Sequence, residues 1–133
     1  MDYRELAKDE LKNFRLHKTA LINLNEKINE LNRSLKEISD TEERLSVIAE
    51  RETLKEVYRF RQATVRRVER GLEQLSEVEK TVLSFFYMKP SGDAETSVYK
   101  LMELTGYERR AVYYQRDKAI KVFTMAMYGV LAI

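Results

Sequence analysis

The chain has 133 residues, with 24 Lys and Arg against 22 Asp and Glu for a formal net charge of +2. That is room for one or two small domains and too little charge for a polycation that holds nucleic acid by charge alone. The absence of cysteine excludes a disulfide framework and thiolate metal sites and fits a reducing cytoplasm, and no run approaches the roughly 18 apolar residues of a membrane span or resembles a signal peptide. One Pro, four Gly and 35% charged residues favour long helices, so the expected fold class is all-α.

The first predicted element is a helix from about Tyr3 to Ile38. Phe14, Leu21, Leu24, Ile28, Leu31, Leu35 and Ile38 keep a three–four spacing, with His17 breaking the apolar series. That stripe is the seam of a coiled coil or a bundle. Ser39-Asp-Thr-Glu42 reads as a stop and restart: Ser39 and Glu42 have capping-box spacing, and Asp40 or Thr41 could cap instead. A second helix is expected to about Leu72, with a stripe of Leu54, Tyr58, Arg61, Val65, Val68 and Leu72, and Leu45 and Ile48 near its start. So short a connection makes the two helices antiparallel neighbours. Gly71 falls where a helix commonly ends on glycine.

Ser76-Glu-Val-Glu79 is a capping box that opens a third helix with Val78, Val82, Leu83, Phe85 and Phe86 as its apolar face. Pro90-Ser-Gly-Asp93 is the clearest loop. Thr96 or Ser97 is expected to cap a short helix ending at Leu104, and Gly106 supplies the positive φ of a tight turn. The last helix begins near Tyr107 and runs into the apolar end of the chain. The chain thus divides into a helical hairpin, 1–73, for oligomerisation or partner contact, and a three-helix domain, 74–133.

Residues 98–121 have the form of a helix-turn-helix. Val112, Ala119, Ile120 and Phe123 mark the buried face of its second helix. Arg109, Arg110, Tyr113, Tyr114, Asp117, Lys118 and Lys121 fall on the opposite face, with residue types that bridge base edges or reach phosphates and thymine methyls. Residues 107–121 carry five cations against two anions, and residues 55–70 carry six against two. In the second segment Arg66 and Arg67 either track DNA phosphates or belong to an ordinary charged helix face.

The pattern from Leu75-Ser-Glu-Val-Glu-Lys-Thr-Val-Leu83 through Gly106 to Val112 and Ala119-Ile120 resembles region 4 of sigma-70-type factors. Tyr113-Tyr-Gln-Arg-Asp-Lys-Ala-Ile-Lys-Val-Phe-Thr-Met-Ala-Met-Tyr-Gly129 resembles the end of the RinA/ArpU-type phage late-transcription regulators. The resemblance covers residues 75–130. It implies that the domain after the long helical hairpin is a sigma-region-4-like one that activates late phage genes at promoter DNA, with host RNA polymerase as a partner, while the hairpin resembles the family only in being helical and charged. By position, Arg109, Arg110, Tyr113 and Tyr114 would then face the groove. Gln115 departs from the pattern, standing where region 4 has an apolar residue.

His17 is the single histidine, and its place on the seam suits a register-setting polar residue better than a catalyst, which needs a positioned partner and a pocket. The carboxylates show no metal-ligand spacing, and no nucleophile–base pair, P-loop or cofactor loop is visible. No enzymatic activity, metal or cofactor is expected. Arg61 sits on the apolar stripe, where it either snorkels or pairs with a carboxylate of the first helix. Met125 to Ile133 is strongly apolar and either packs back on the chain or joins subunits, and a homo-oligomer is expected. The competing reading is a helical protein–protein adaptor that binds RNA polymerase or another phage or host protein with little DNA contact.

Overall fold

The computed structural model describes residues 1–89 and 93–130. Among the described residues five α-helices follow one another: α1 (Tyr3–Leu35), α2 (Thr41–Glu73), α3 (Glu77–Leu83), α4 (Ala94–Thr105) and α5 (Arg109–Tyr128). A π-helical turn, Ser84–Met88, continues α3. There is no strand among the described residues, and no helix is long and apolar enough to cross a membrane. The helices form two compact units, one of Met1–Arg15 with Arg67–Ile133 and one of Leu16–Arg66. The division falls within α1 and α2, not at the 73/74 boundary expected from the sequence.

Leu16–Arg66 is an antiparallel hairpin. Ile28, Leu31, Leu35 and Val65 are buried, as the heptad spacing requires. Polar bonds fix the register: Arg51 Nη1 donates to Asn32 Oδ1 at 3.2 Å, and Arg61 Nη1 donates to His17 Nδ1 at 3.0 Å. Arg61 therefore pairs with the histidine, not with a carboxylate. A guanidinium has no acceptor, so the half-buried imidazole supplies one on the apolar stripe.

At the bend, Asp40 is the cap. Its Oδ2 accepts from Glu43 N at 2.9 Å, and α2 starts one residue later, so Ser39 does not form the capping box that its spacing allows. Arg44 Nη1 turns back to the carbonyl of Leu35, which the end of α1 leaves without a helical partner, and to that of Ile38 in the bend. Leu45, expected on the inner stripe, is 62% exposed because Arg44, Val47 and Ile48 take the inward positions.

The other unit buries Ala7, Leu11 and Phe14 of α1 and Val68 of α2, together with Leu75 and the C-terminal helices. Gly71 lies inside the last turn of α2, which continues to Glu73. A Cβ there would stand 2.8 Å from Phe123 Cε1, so the residue is glycine because the ring of α5 presses on the helix backbone. Met127 is buried, and the Tyr128 ring lies 5.3 Å from that of Tyr3, so part of the apolar C-terminal end packs back on its own unit. Met125 and Val130 are exposed. Residues 131–133 lie outside the described residues, as do 90–92 of the expected loop.

Candidate nucleic-acid interface

α3, α4 and α5 enclose a small core. Val82, Val98, Leu101 and Val112 are fully buried, and Val78, Phe85, Phe86, Met102, Tyr107 and Tyr113 pack around them. Ser76 opens α3 with both halves of the capping box: its Oγ accepts from Glu79 N at 3.2 Å, and Glu79 Oε1 accepts from Ser76 N at 3.1 Å. The helix then widens, and Lys89 N donates to Ser84 O across five residues at 3.0 Å. That extra residue aims the Phe85 carbonyl at α4, where the buried Ser97 Oγ donates to it at 3.0 Å.

Ser97 is thus a link between elements and not a helix cap, and Thr96 supplies donors instead of capping. Asp93 is the cap of α4: its Oδ1 accepts from Thr96 N at 2.8 Å and from Thr96 Oγ1 at 2.9 Å. These two bonds, the backbone one first, hold its carboxyl below the usual carboxylate range. α4 ends at Gly106, whose φ of 74° is left-handed, and Gly106 N donates to Met102 O at 2.9 Å. After Tyr107 and Glu108, α5 begins at Arg109. A sharp turn between two helices that share one core is what brings the start of α5 to the surface.

Val112, Ala119, Ile120 and Phe123 are buried as expected from their spacing. Arg110, Tyr114, Asp117, Lys118 and Lys121 are exposed on the other side. Among the described residues Arg110, Lys118 and Lys121 make no ion pair, so three cations are free on one helix face. Asp117 is bound to Arg116 at 3.0 Å. The N-cap residue Glu108 makes no side-chain cap, which leaves the positive end of the helix open beside Arg110. An open cleft of about 550 Å³ sits there, lined by Gly106, Tyr107, Glu108, Arg110, Ala111 and Tyr114.

Two residues placed on this face by the sequence sit differently. Tyr113 is half-buried, its ring 6.1 Å from that of Phe86, with the Arg116 guanidinium 4.8 Å above it. One helical step of 100° from buried Val112 leaves it on the flank, while Tyr114 turns fully outward. Arg109 is tied to α4: Nη2 donates to Glu95 Oε1 at 3.1 Å, and the guanidinium lies 5.3 Å from the Tyr99 ring centre. It clamps the two helices across the turn. Gln115 is half-exposed.

In the basic segment of α2, Arg67 reaches Glu10 at 3.9 Å and Arg66 is exposed. Arg66 belongs to the hairpin unit and Arg67 to the unit that contains α5. Ala111 and Tyr107, not expected on this face from the sequence, also line the cleft, although a small residue in the first turn of α5 was a usable signal. Among the described residues no group of three or more His, Asp or Glu could hold a metal ion. Comparison of the chain with known proteins finds no matching family model, no matching curated protein and no matching solved structure.

Proposed function

We propose that the chain is a sequence-specific DNA-binding transcription regulator that inserts the first turns of α5 into the major groove. The observation that carries this reading is the face of Arg110, Tyr114, Lys118 and Lys121. Its cations are exposed and free of ion pairs among the described residues, while the opposite face of α5 is locked into the core. Asp117, the carboxylate on the same face, is bound to Arg116 at 3.0 Å, so it does not neutralise these cations.

Within the face the roles divide by reach. Arg110, beside the open cleft, suits a guanine edge, and Tyr114 with Ala111 suits a thymine methyl. Lys118 and Lys121, farther along the helix, suit phosphates. Arg109 and Tyr113 position α5 against α4 and the π turn. The sigma-region-4-like helix-turn-helix arrangement, activation of late phage genes beside host RNA polymerase, and self-association to read two half-sites complete the proposal. The first two rest on the resemblance of residues 75–130.

Selection of binding sites from random duplex DNA tests the reading. The expected result is one enriched motif, and pools that stay random with folded protein would overturn it. The adaptor reading draws on a separate observation, the uncovered Phe60 of α2, which DNA binding leaves unused.

A further inference from the structure

Within residues 41–66, α2 leaves large apolar side chains uncovered. Phe60 is 71% exposed, Leu45 62% and Val57 37%. A lone exposed apolar residue needs no explanation. Phe60, however, stands in a row with Ser46, Ala49, Thr53, Glu56 and Ala63, all exposed and spaced alternately by three and four. The row has heptad spacing and small side chains apart from Phe60 and Glu56, and it forms a second seam on the side of α2 away from Val47, Tyr58 and Val65.

We propose that this seam pairs with the same segment of a second copy of the chain, antiparallel, about a two-fold axis at the level of Leu54 and Lys55. The inference stands whether or not the protein binds DNA. Size sets the register. A two-fold at that level places Phe60 opposite Ala49 of the second copy, Ser46 opposite Ala63 and Thr53 opposite Glu56, so each large ring meets the smallest facing residue.

Charge sets the direction. Residues 41–52 carry four carboxylates against two guanidiniums, and one of those, Arg44, is bound to the carbonyls of Leu35 and Ile38. Residues 55–66 carry four cations against one carboxylate; Arg61 is turned to His17 and Lys55 is paired with Glu52, which leaves Arg59 and Arg66 exposed. Antiparallel pairing lays the acidic stretch of one copy beside the basic stretch of the other, whereas parallel pairing would stack like on like.

The lack of native cysteine makes the test direct. At 1.5 Å per residue, position 53 stands about 4.5 Å along the axis from its counterpart, and position 63 stands about 25 Å from its own. Only the first lies within the roughly 7 Å that a disulfide spans. Thr53→Cys should therefore form a covalent dimer on oxidation and Ala63→Cys should not. Sedimentation should show a dimer at tens of micromolar, by order of magnitude for a contact of this kind. Phe60→Glu should weaken it roughly a hundredfold, because the substitution enters the interface twice. Ala49→Gln, which fills the facing hole, should weaken it as well.

Both substitutions are at exposed positions, and circular dichroism checks that the helices remain. Three results would overturn the proposal. One is a monomer at every concentration, which would leave the face to a different protein. Another is a dimer that neither substitution weakens. The third is Ala63→Cys linking as readily as Thr53→Cys, the mark of parallel pairing.

Discussion

Gly71 shows how far a single residue is legible. The sequence announces a glycine near a helix end, and a cap is the ordinary reading. The helix runs past it, and the reason for glycine is the Phe123 ring, which belongs to a helix fifty residues away in sequence. Alanine at 71 should gain about 1 kcal/mol of helix propensity. It would also force a contact of 2.8 Å on a ring that is fully buried and cannot swing aside, and overpacking of that kind costs about 1–3 kcal/mol. Gly71→Ala should therefore lower the melting temperature, and an unchanged or raised value would show that the ring has room. Tyr113 and Tyr114 teach the same lesson. Both are tyrosines beside basic residues, but one helical step separates a side chain that packs on Phe86 from one that faces outward.

At the scale of elements, local chemistry was the most legible. The Ser76 box was readable because all its atoms lie within four residues. The start of α4 was not, since Asp93, Thr96 and Ser97 all offer oxygens and only packing decides among them. Ser97 is drawn inward by a carbonyl of the π turn, and a π turn is one extra residue with no mark of its own in the sequence. Asp93 is left to cap, and its carboxyl is held below its unfolded value. Its contribution to stability is then present above the unfolded value and is lost as the pH falls through the folded one. Asp93→Asn keeps a capping oxygen and removes the titration. Helix content near the acid end should fall with pH in the parent, and that part of the fall should be absent from the variant. Equal acid curves would mean that Asp93 is not the cap.

For the whole molecule, the heptad pattern revealed long helices but not where their packing partners change. Ala7, Leu11 and Phe14 are spaced by threes and fours like Ile28, Leu31 and Leu35, yet the two sets belong to different compact units. Periodicity records which face is buried and is silent about what buries it. Net charge is equally silent. A total of +2 conceals the three free cations on α5 and the exposed Arg66. If Arg66 touches a phosphate, Arg66→Ala should reduce the slope of log affinity against log salt by about 0.9. An unchanged slope assigns that side chain to solvent.

The central claim is that the outer face of α5 reads bases, and Arg110 tests it most directly. Equilibrium binding of the full chain and of Arg110→Ala should be compared on the selected duplex and on a scrambled one at a single salt concentration. Arg110 is exposed and makes no ion pair among the described residues, so folding should be unaffected. The expected result is a loss of about 1–3 kcal/mol on the selected duplex, as for a base contact, with a much smaller loss on the scrambled one. Equal affinity of the parent for both duplexes, or a variant that binds the selected duplex as tightly as the parent, would contradict the claim.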